Sequence, residues 1–192
     1  MILYESEIEQ ITLELLRDEN GYSIAYGPDL LEGTVTERTF TDVILKARLR
    51  TAIDRINPRI PEEAREEAFK KALRIQALTV IDNNEALHYE LTEGVDVKFS
   101  VGEGKSRSDK VWLVDFAVPE NNEFLAVNQF TVVENNVNKR PDIVLFINGL
   151  PLVVIEAKRP ESTHAGKSMV AEGISQHLRN QRPDEIPQLF GY

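Results

Sequence analysis

The chain contains no cysteine. Thiolate metal sites, cysteine nucleophiles and disulfide scaffolds are therefore excluded, and the usage fits a reducing compartment, so a cytoplasmic location is expected. No apolar run approaches the roughly 18–20 residues that a membrane-spanning helix needs. The opening Met1-Ile2-Leu3-Tyr4-Glu5-Ser6-Glu7 also lacks the basic-then-apolar order of a signal peptide, and no membrane partner is expected. Positive charge is short as well: 22 Lys and Arg against 32 Asp and Glu leave a net charge of −10. A nucleic-acid coat protein displaces counterions with a basic surface, so that class is disfavoured. An enzyme that meets DNA in one local groove, or is carried there by basic partners, is not. The three histidines, His88, His164 and His177, show no metal-ligand spacing. What remains is an ordinary globular composition, 42% hydrophobic and 28% charged. A chain of this length can bury roughly 70% of its unfolded surface and needs no disulfide or metal to fold.

No internal repeat or low-complexity segment is present. Glu5 to Glu19 reads as an amphipathic helix, with Ile8, Ile11, Leu15 and Leu16 at helical spacing and Asn20-Gly21 as the stop. Tyr22 to Tyr26 alternates as a short strand. Helices are expected over Asp42 to Ile56, from Pro61 to about Leu78, and in a shorter segment ending at Glu93-Gly94. Beyond Gly94 the period becomes that of strands: Val95 to Phe99, Val111 to Phe116 and Phe124 to Val133, with Gly102 to Asp109 as a polar turn. Ile143 to Ile147 and Leu152 to Ala157 are near-continuous apolar runs, as in strands buried on both faces. Asn148-Gly149 between them is a hairpin signal. A helix from Ser168 to Gln181 follows. The apolar close, Ile186 to Tyr192, stops abruptly, so the natural chain is expected to continue.

Chemistry concentrates around this hairpin. Alternation puts Glu156 and Lys158 on one face of the second strand and Ala157 on the other. Charges at the end of a buried strand are costly unless paired or coordinated, and Asp142 opens the partner strand after Arg140-Pro141. Two carboxylates and a lysine there suit a divalent cation: Mg²⁺ takes one or two carboxylates and keeps several waters. It can then activate water and stabilise charge on a phosphoryl oxygen, with Lys158 orienting the water or neutralising developing charge. The ordinary alternative is a strand-end pair that is salt-bridged or solvated. Both readings stay open on these residues alone.

A shared cation imposes a register. If Asn148-Gly149 were a plain two-residue turn, Ile147 would face Leu150 and Asp142 would face Ile155, away from Glu156. One residue of slip turns a strand's side chains to the other face. Joint ligation therefore predicts one extra residue, as a three-residue loop Asn148-Gly149-Leu150 or a bulge near Pro151, whose missing N–H interrupts the ladder naturally. Asp142 would then oppose Glu156, Val144 oppose Val154, and Phe146 oppose Leu152.

Pro141-Asp142 … Glu156-Ala157-Lys158 resembles the PD-(D/E)xK nuclease signature. The fuller run, Asn128-Gln129-Phe130 followed by Arg140 to Lys158, resembles the N-terminal nuclease domain of the R (restriction, motor) subunit of type I restriction-modification enzymes. So do the opening helix with Glu5, Glu7 and Glu9 before Gly21-Tyr22, the stretch Asp115-Phe116 … Pro119-Glu120-Asn121-Asn122, and Ile186 to Phe190. The resemblance implies an α/β, restriction-endonuclease-like central mixed sheet of about five strands flanked by helices. A helical insertion over about residues 41–93 would sit within a single nuclease domain, 1–192. It implies Mg²⁺-dependent cleavage of double-stranded DNA, with Mn²⁺ as a substitute, in a complex with methyltransferase and specificity subunits. ATP would be used only by motor domains absent from this chain. Asp142 and Glu156 map onto the metal-binding acids and Lys158 onto the catalytic lysine. An acid of the first helix, Glu9, is the candidate third metal-site carboxylate, against the alternative of an exposed charge. The family's Gln-x-x-x-Tyr motif maps Gln176 near DNA or the active site, but Asn180 stands where the tyrosine would be. Lys139 and Arg140 are candidates for phosphate contact or a solvated pair. The competing function is a non-catalytic docking module of the same complex; the intact Asp, Glu and Lys count against it.

Ala165-Gly166-Lys167-Ser168 imitates a phosphate-binding loop, but Glu161 occupies the place of the glycine that lets backbone curl around phosphates. Gly104-Lys105-Ser106 fails in the same way, with Phe99 at that place. A nucleotide-binding domain is therefore disfavoured.

Overall fold

A computed structural model of the chain describes residues 4–31, 36–74, 79–159, 163–164 and 167–191. Chain order begins with helix α1 (Glu5–Asp18) and strand β1 (Ser23–Tyr26). Helices α2 (Lys46–Ile56), α3 (Glu62–Ala72) and α4 (Val80–Glu93) follow, then the ribbon β2 (Val95–Gly102) and β3 (Lys105–Val111). The second half carries β4 (Phe124–Asn128), β5 (Val132–Glu134), β6 (Val137–Lys139), β7 (Ile143–Ile147) and β8 (Leu150–Ile155). Two-residue strands β9 (Thr163–His164) and β10 (Lys167–Ser168) lead into α5 (Met169–Asn180). The end of the third expected helix at residues 75–78, and Glu161, Ala165 and Gly166 of the imitation phosphate loop, lie outside the described residues.

The central sheet has four strands among the described residues, in the order β1-β4-β7-β8. β1 runs parallel to β4, and the β4–β7 and β7–β8 pairs are antiparallel, so the sheet is mixed. Its faces follow alternation. Leu125, Val127, Val144 and Phe146 enter the main core with Leu45, Leu49 and Ile53, while Ala126, Ile143 and Leu145 meet Leu13 of α1 on the other side. Phe130 and Phe146, both fully buried, pack with ring centroids 5.2 Å apart; full burial of such a side chain stabilises by about 2–3 kcal/mol.

Several local readings change. The polar stretch Gly102 to Asp109 is largely strand β3, paired with β2 from Gly102↔Lys105 to Val95↔Val111, and Trp112 to Phe116 is irregular. Most of β3 is exposed, so it carries no apolar alternation. Phe124 to Val133 is two strands, broken at Gln129, whose backbone is left-handed with φ 55°. In α1 Leu13 is buried and Ile8 and Leu16 are half-buried, whereas Ile11 and Leu15 face solvent.

The hairpin keeps its two-residue turn: Ile147 faces Leu150, with positive φ at both Asn148 and Gly149, as this turn requires. The tip is wedged against α2. Leu45 N–H donates to the Gly149 carbonyl at 2.9 Å, and a Cβ at Gly149 would lie 2.5 Å from the Leu45 carbonyl oxygen. Phe146 then faces Pro151 rather than Leu152, and the register shifts before Leu145↔Val153, leaving Leu152 as the extra residue. Val144 opposes Val154 and Ile143 opposes Ile155. The expected bulge is present, one residue past Pro151.

Candidate active site

Four chain points meet at one end of the central sheet: Gly27 just after β1, Asn128-Gln129 at the end of β4, Asp142 just before β7 and Glu156 just after β8. Continued past Ile143↔Ile155, the bulged register carries Asp142 to the level of Glu156, and the two carboxyl groups lie within hydrogen-bonding reach. The Ala157 N–H donates to Asp142 Oδ2 at 2.8 Å, fixing that carboxyl against the neighbouring strand end.

Only 5% of the Glu156 side chain is exposed, and Lys158 Nζ stands 3.9 Å from its Oε2. Burial, and then the facing Asp142, push the Glu156 carboxyl up to about 7, against the pull of Lys158 and a hydrogen bond from Gln176. Burial also raises Asp142, opposed by the Ala157 N–H, with the nearby Glu9 pushing further upward. Two half-buried acids thus face each other with one lysine to offset their charge.

α5 closes one side. Ser168 caps it, its hydroxyl accepting from the Ala171 N–H at 3.2 Å. Gln176 reaches Glu156, and the stem of Lys158 passes Gly173, where a Cβ would meet Lys158 Cγ at 3.9 Å. Gln176 and Lys158 therefore converge on the same acid. Asn180, at the tyrosine position, is buried at the end of the helix, where its carbonyl accepts from Ile186 N–H at 3.1 Å. Burial lowers the pKa of His177, with Lys158 adding to the effect. Arg140 is exposed beside Pro141-Asp142, whereas Lys139 pairs with Glu185 at 3.1 Å.

Glu9 is anchored by amides: Asn128 Nδ2 donates to its Oε1 at 3.2 Å, and Gln129 Nε2 donates to both oxygens, at 3.1 and 3.0 Å. The roles of Asn128 and Gln129 escaped the sequence reading; two consecutive amides closing an apolar strand were the available signal. Among the described residues no three acidic or histidine side chains converge on one metal position. The acid pair Asp142–Glu156 by itself suits a hard cation that keeps most of its water.

The second strand of the hairpin, expected to be buried on both faces, is instead the sheet edge among the described residues, with Val153 exposed. A mixed sheet flanked by helices, with acids at the end of this hairpin, defines a restriction-endonuclease-like α/β fold. The chain belongs to the family described as the N terminus of type I restriction enzyme R proteins, which matches residues 2–192. It is 35% identical to the type I restriction enzyme HindI endonuclease subunit of Haemophilus influenzae, over 100% of this chain and 18% of that protein. It is 33% identical to the putative type I restriction enzyme MjaIXP endonuclease subunit of Methanocaldococcus jannaschii, over 96% of this chain and 17% of that protein. The chain thus spans less than a fifth of the length of these curated relatives.

Proposed function

We propose that this chain is a Mg²⁺-dependent endonuclease domain that cleaves double-stranded DNA as part of a type I restriction enzyme R subunit. The observation that carries the reading is the bulge at Leu152, which brings Asp142 and Glu156 onto one face beside Lys158. Relatives named as endonuclease subunits support the same reading.

In this mechanism Asp142 and Glu156 hold the cation, and Gln176 steadies Glu156. When bound, Mg²⁺ supplies Lewis-acid polarisation of the scissile phosphate and eases deprotonation of water. Lys158 orients the attacking water and offsets negative charge growing on the phosphoryl oxygens. Water gives up a proton to bulk solvent as it adds to phosphorus, the P–O bond to the leaving strand end breaks, and the departing oxygen takes a proton from solvent. Arg140 contacts phosphate at the rim. ATP use belongs to motor domains elsewhere in the subunit, sequence choice belongs to the specificity and methyltransferase partners, and the complex works in the cytoplasm. With a net charge of −10, the chain depends on those partners for most of its DNA affinity.

The test is plasmid nicking by this chain at high concentration with Mg²⁺ or Mn²⁺, using Lys158→Ala as the control. Metal-dependent nicking lost in the control supports the reading. Equal nicking by both proteins, or none by the assembled enzyme, refutes it.

A further inference from the structure

We infer that Gln129 is a positioning residue whose left-handed backbone turns its amide onto Glu9 and holds that carboxylate beside the Asp142–Glu156 pair. The inference rests on the nuclease reading. Asn128 and Gln129 are consecutive, and in a regular strand their side chains would point to opposite faces. Both nevertheless donate to the same carboxylate. They can do so because φ at Gln129 is +55°, a region that non-glycine residues seldom enter.

The strained turn is held from two directions. Gln129 N–H donates to the Asp142 carbonyl at 2.8 Å, tying the turn to the backbone of a site acid. On the other side Gly27 makes room: a Cβ there would lie 2.3 Å from the Gln129 carbonyl oxygen and 2.8 Å from its carbonyl carbon. A turn alone would be met without strain by glycine. The amide is what glycine cannot supply, and all its described contacts go to Glu9. Glu9 acts on Asp142 electrostatically but does not join a three-acid cluster. A carboxylate held at this end of the sheet would serve as an acceptor for the water that a hard cation retains. Gln129 thereby couples α1 to the end of the sheet.

Mn²⁺ titration calorimetry and metal-free thermal unfolding of this chain test the inference, using Gln129→Gly, Glu9→Gln and the double variant. Gln129→Gly relieves the backbone strain while deleting the amide. It should melt at or above the wild-type temperature yet bind Mn²⁺ about tenfold more weakly, the usual loss when an outer partner of a metal site is removed. The double variant should lose no more affinity than Glu9→Gln alone. If Gln129→Gly melts below wild type, Gln129→Asn decides in the same way, because asparagine tolerates the left-handed region and its amide falls short of Glu9. Wild-type affinity in the position-129 variants, or a double variant that loses the product of both single effects, overturns the inference alone. Absence of Mn²⁺ binding by the wild-type chain, matched by Asp142→Ala, overturns the nuclease reading together with it.

Discussion

Replacing Glu156 with glutamine should stabilise the metal-free chain, and the gain should appear only as pH rises. The folded protein holds the Glu156 proton up to about pH 7, chiefly through burial and then through Asp142, against an ordinary value of 4.5. The unfolded chain releases that proton near 4.5. Between those values the native state binds one more proton than the unfolded state, so wild-type stability falls as pH rises and levels off above 7. At 1.36 kcal/mol per pH unit the loss reaches a ceiling of about 3 kcal/mol. Glutamine matches the protonated carboxyl in shape and does not titrate. Urea unfolding in EDTA should therefore put Glu156→Gln ahead by about 1 kcal/mol at pH 5 and by as much as about 3 kcal/mol at pH 8. Mg²⁺ at 100 times its dissociation constant should return about 2.7 kcal/mol to the wild type only, nearly closing the gap. Asp142→Asn keeps an acceptor for the Ala157 N–H while removing the facing charge, so it should move the wild-type pH dependence toward lower pH. A stability difference between Glu156→Gln and wild type that is the same at pH 5 and pH 8 would refute the reasoning.

Asp142→Ala, Glu156→Ala and Lys158→Ala should each abolish DNA cleavage by the assembled enzyme and leave its ATPase largely intact; cleavage at the wild-type rate in any one removes that residue from the site. Gly149→Ala should cost at least about 2 kcal/mol in urea unfolding, because φ is +83° there and the new Cβ would press on the backbone of α2. Gly27→Ala should lower both the melting temperature and the Mn²⁺ affinity, since its Cβ meets the Gln129 carbonyl. An unchanged affinity would separate Gly27 from the metal site.

The hairpin was legible because its signals are local and agree: two apolar runs, Asn148-Gly149 between them, and charges emerging at the far end. Its bulge was legible from parity once both acids were required to face one cation, although the displaced residue is Leu152 and Phe146 faces Pro151. Where packing decides, the sequence was silent. The solvent-facing half of α1 contains Ile11 and Leu15, and the buried half is chosen by Leu13 meeting Ala126, Ile143 and Leu145. The expected strand from Val111 to Phe116 ends at its first residue. Asn57, 55 positions away, donates to the Trp112 carbonyl and accepts from its N–H, both at 2.8 Å. The left-handed turn at Gln129 is likewise set by Gly27 and Asp142, neither of which is near it in sequence.

The bulge gives this hairpin something like a reading frame. A plain two-residue hairpin aligns residues with twelve others between them; thirteen separate Asp142 from Glu156, and the bulge takes up the extra one. Deleting Leu152 would leave a plain two-residue hairpin that still sets Leu145 opposite Val153 and Asp142 level with Glu156, whereas adding one residue between Val154 and Ile155 would set Asp142 opposite Ile155, reversing the end of β8 and parting the acids. Adding one residue to β7 between Ile143 and Val144 of the same insertant would restore the frame, much as a second frameshift suppresses a first. Related chains could therefore vary freely in what fills this hairpin, and in whether it is bulged, while remaining constrained in how its two strands are matched in length.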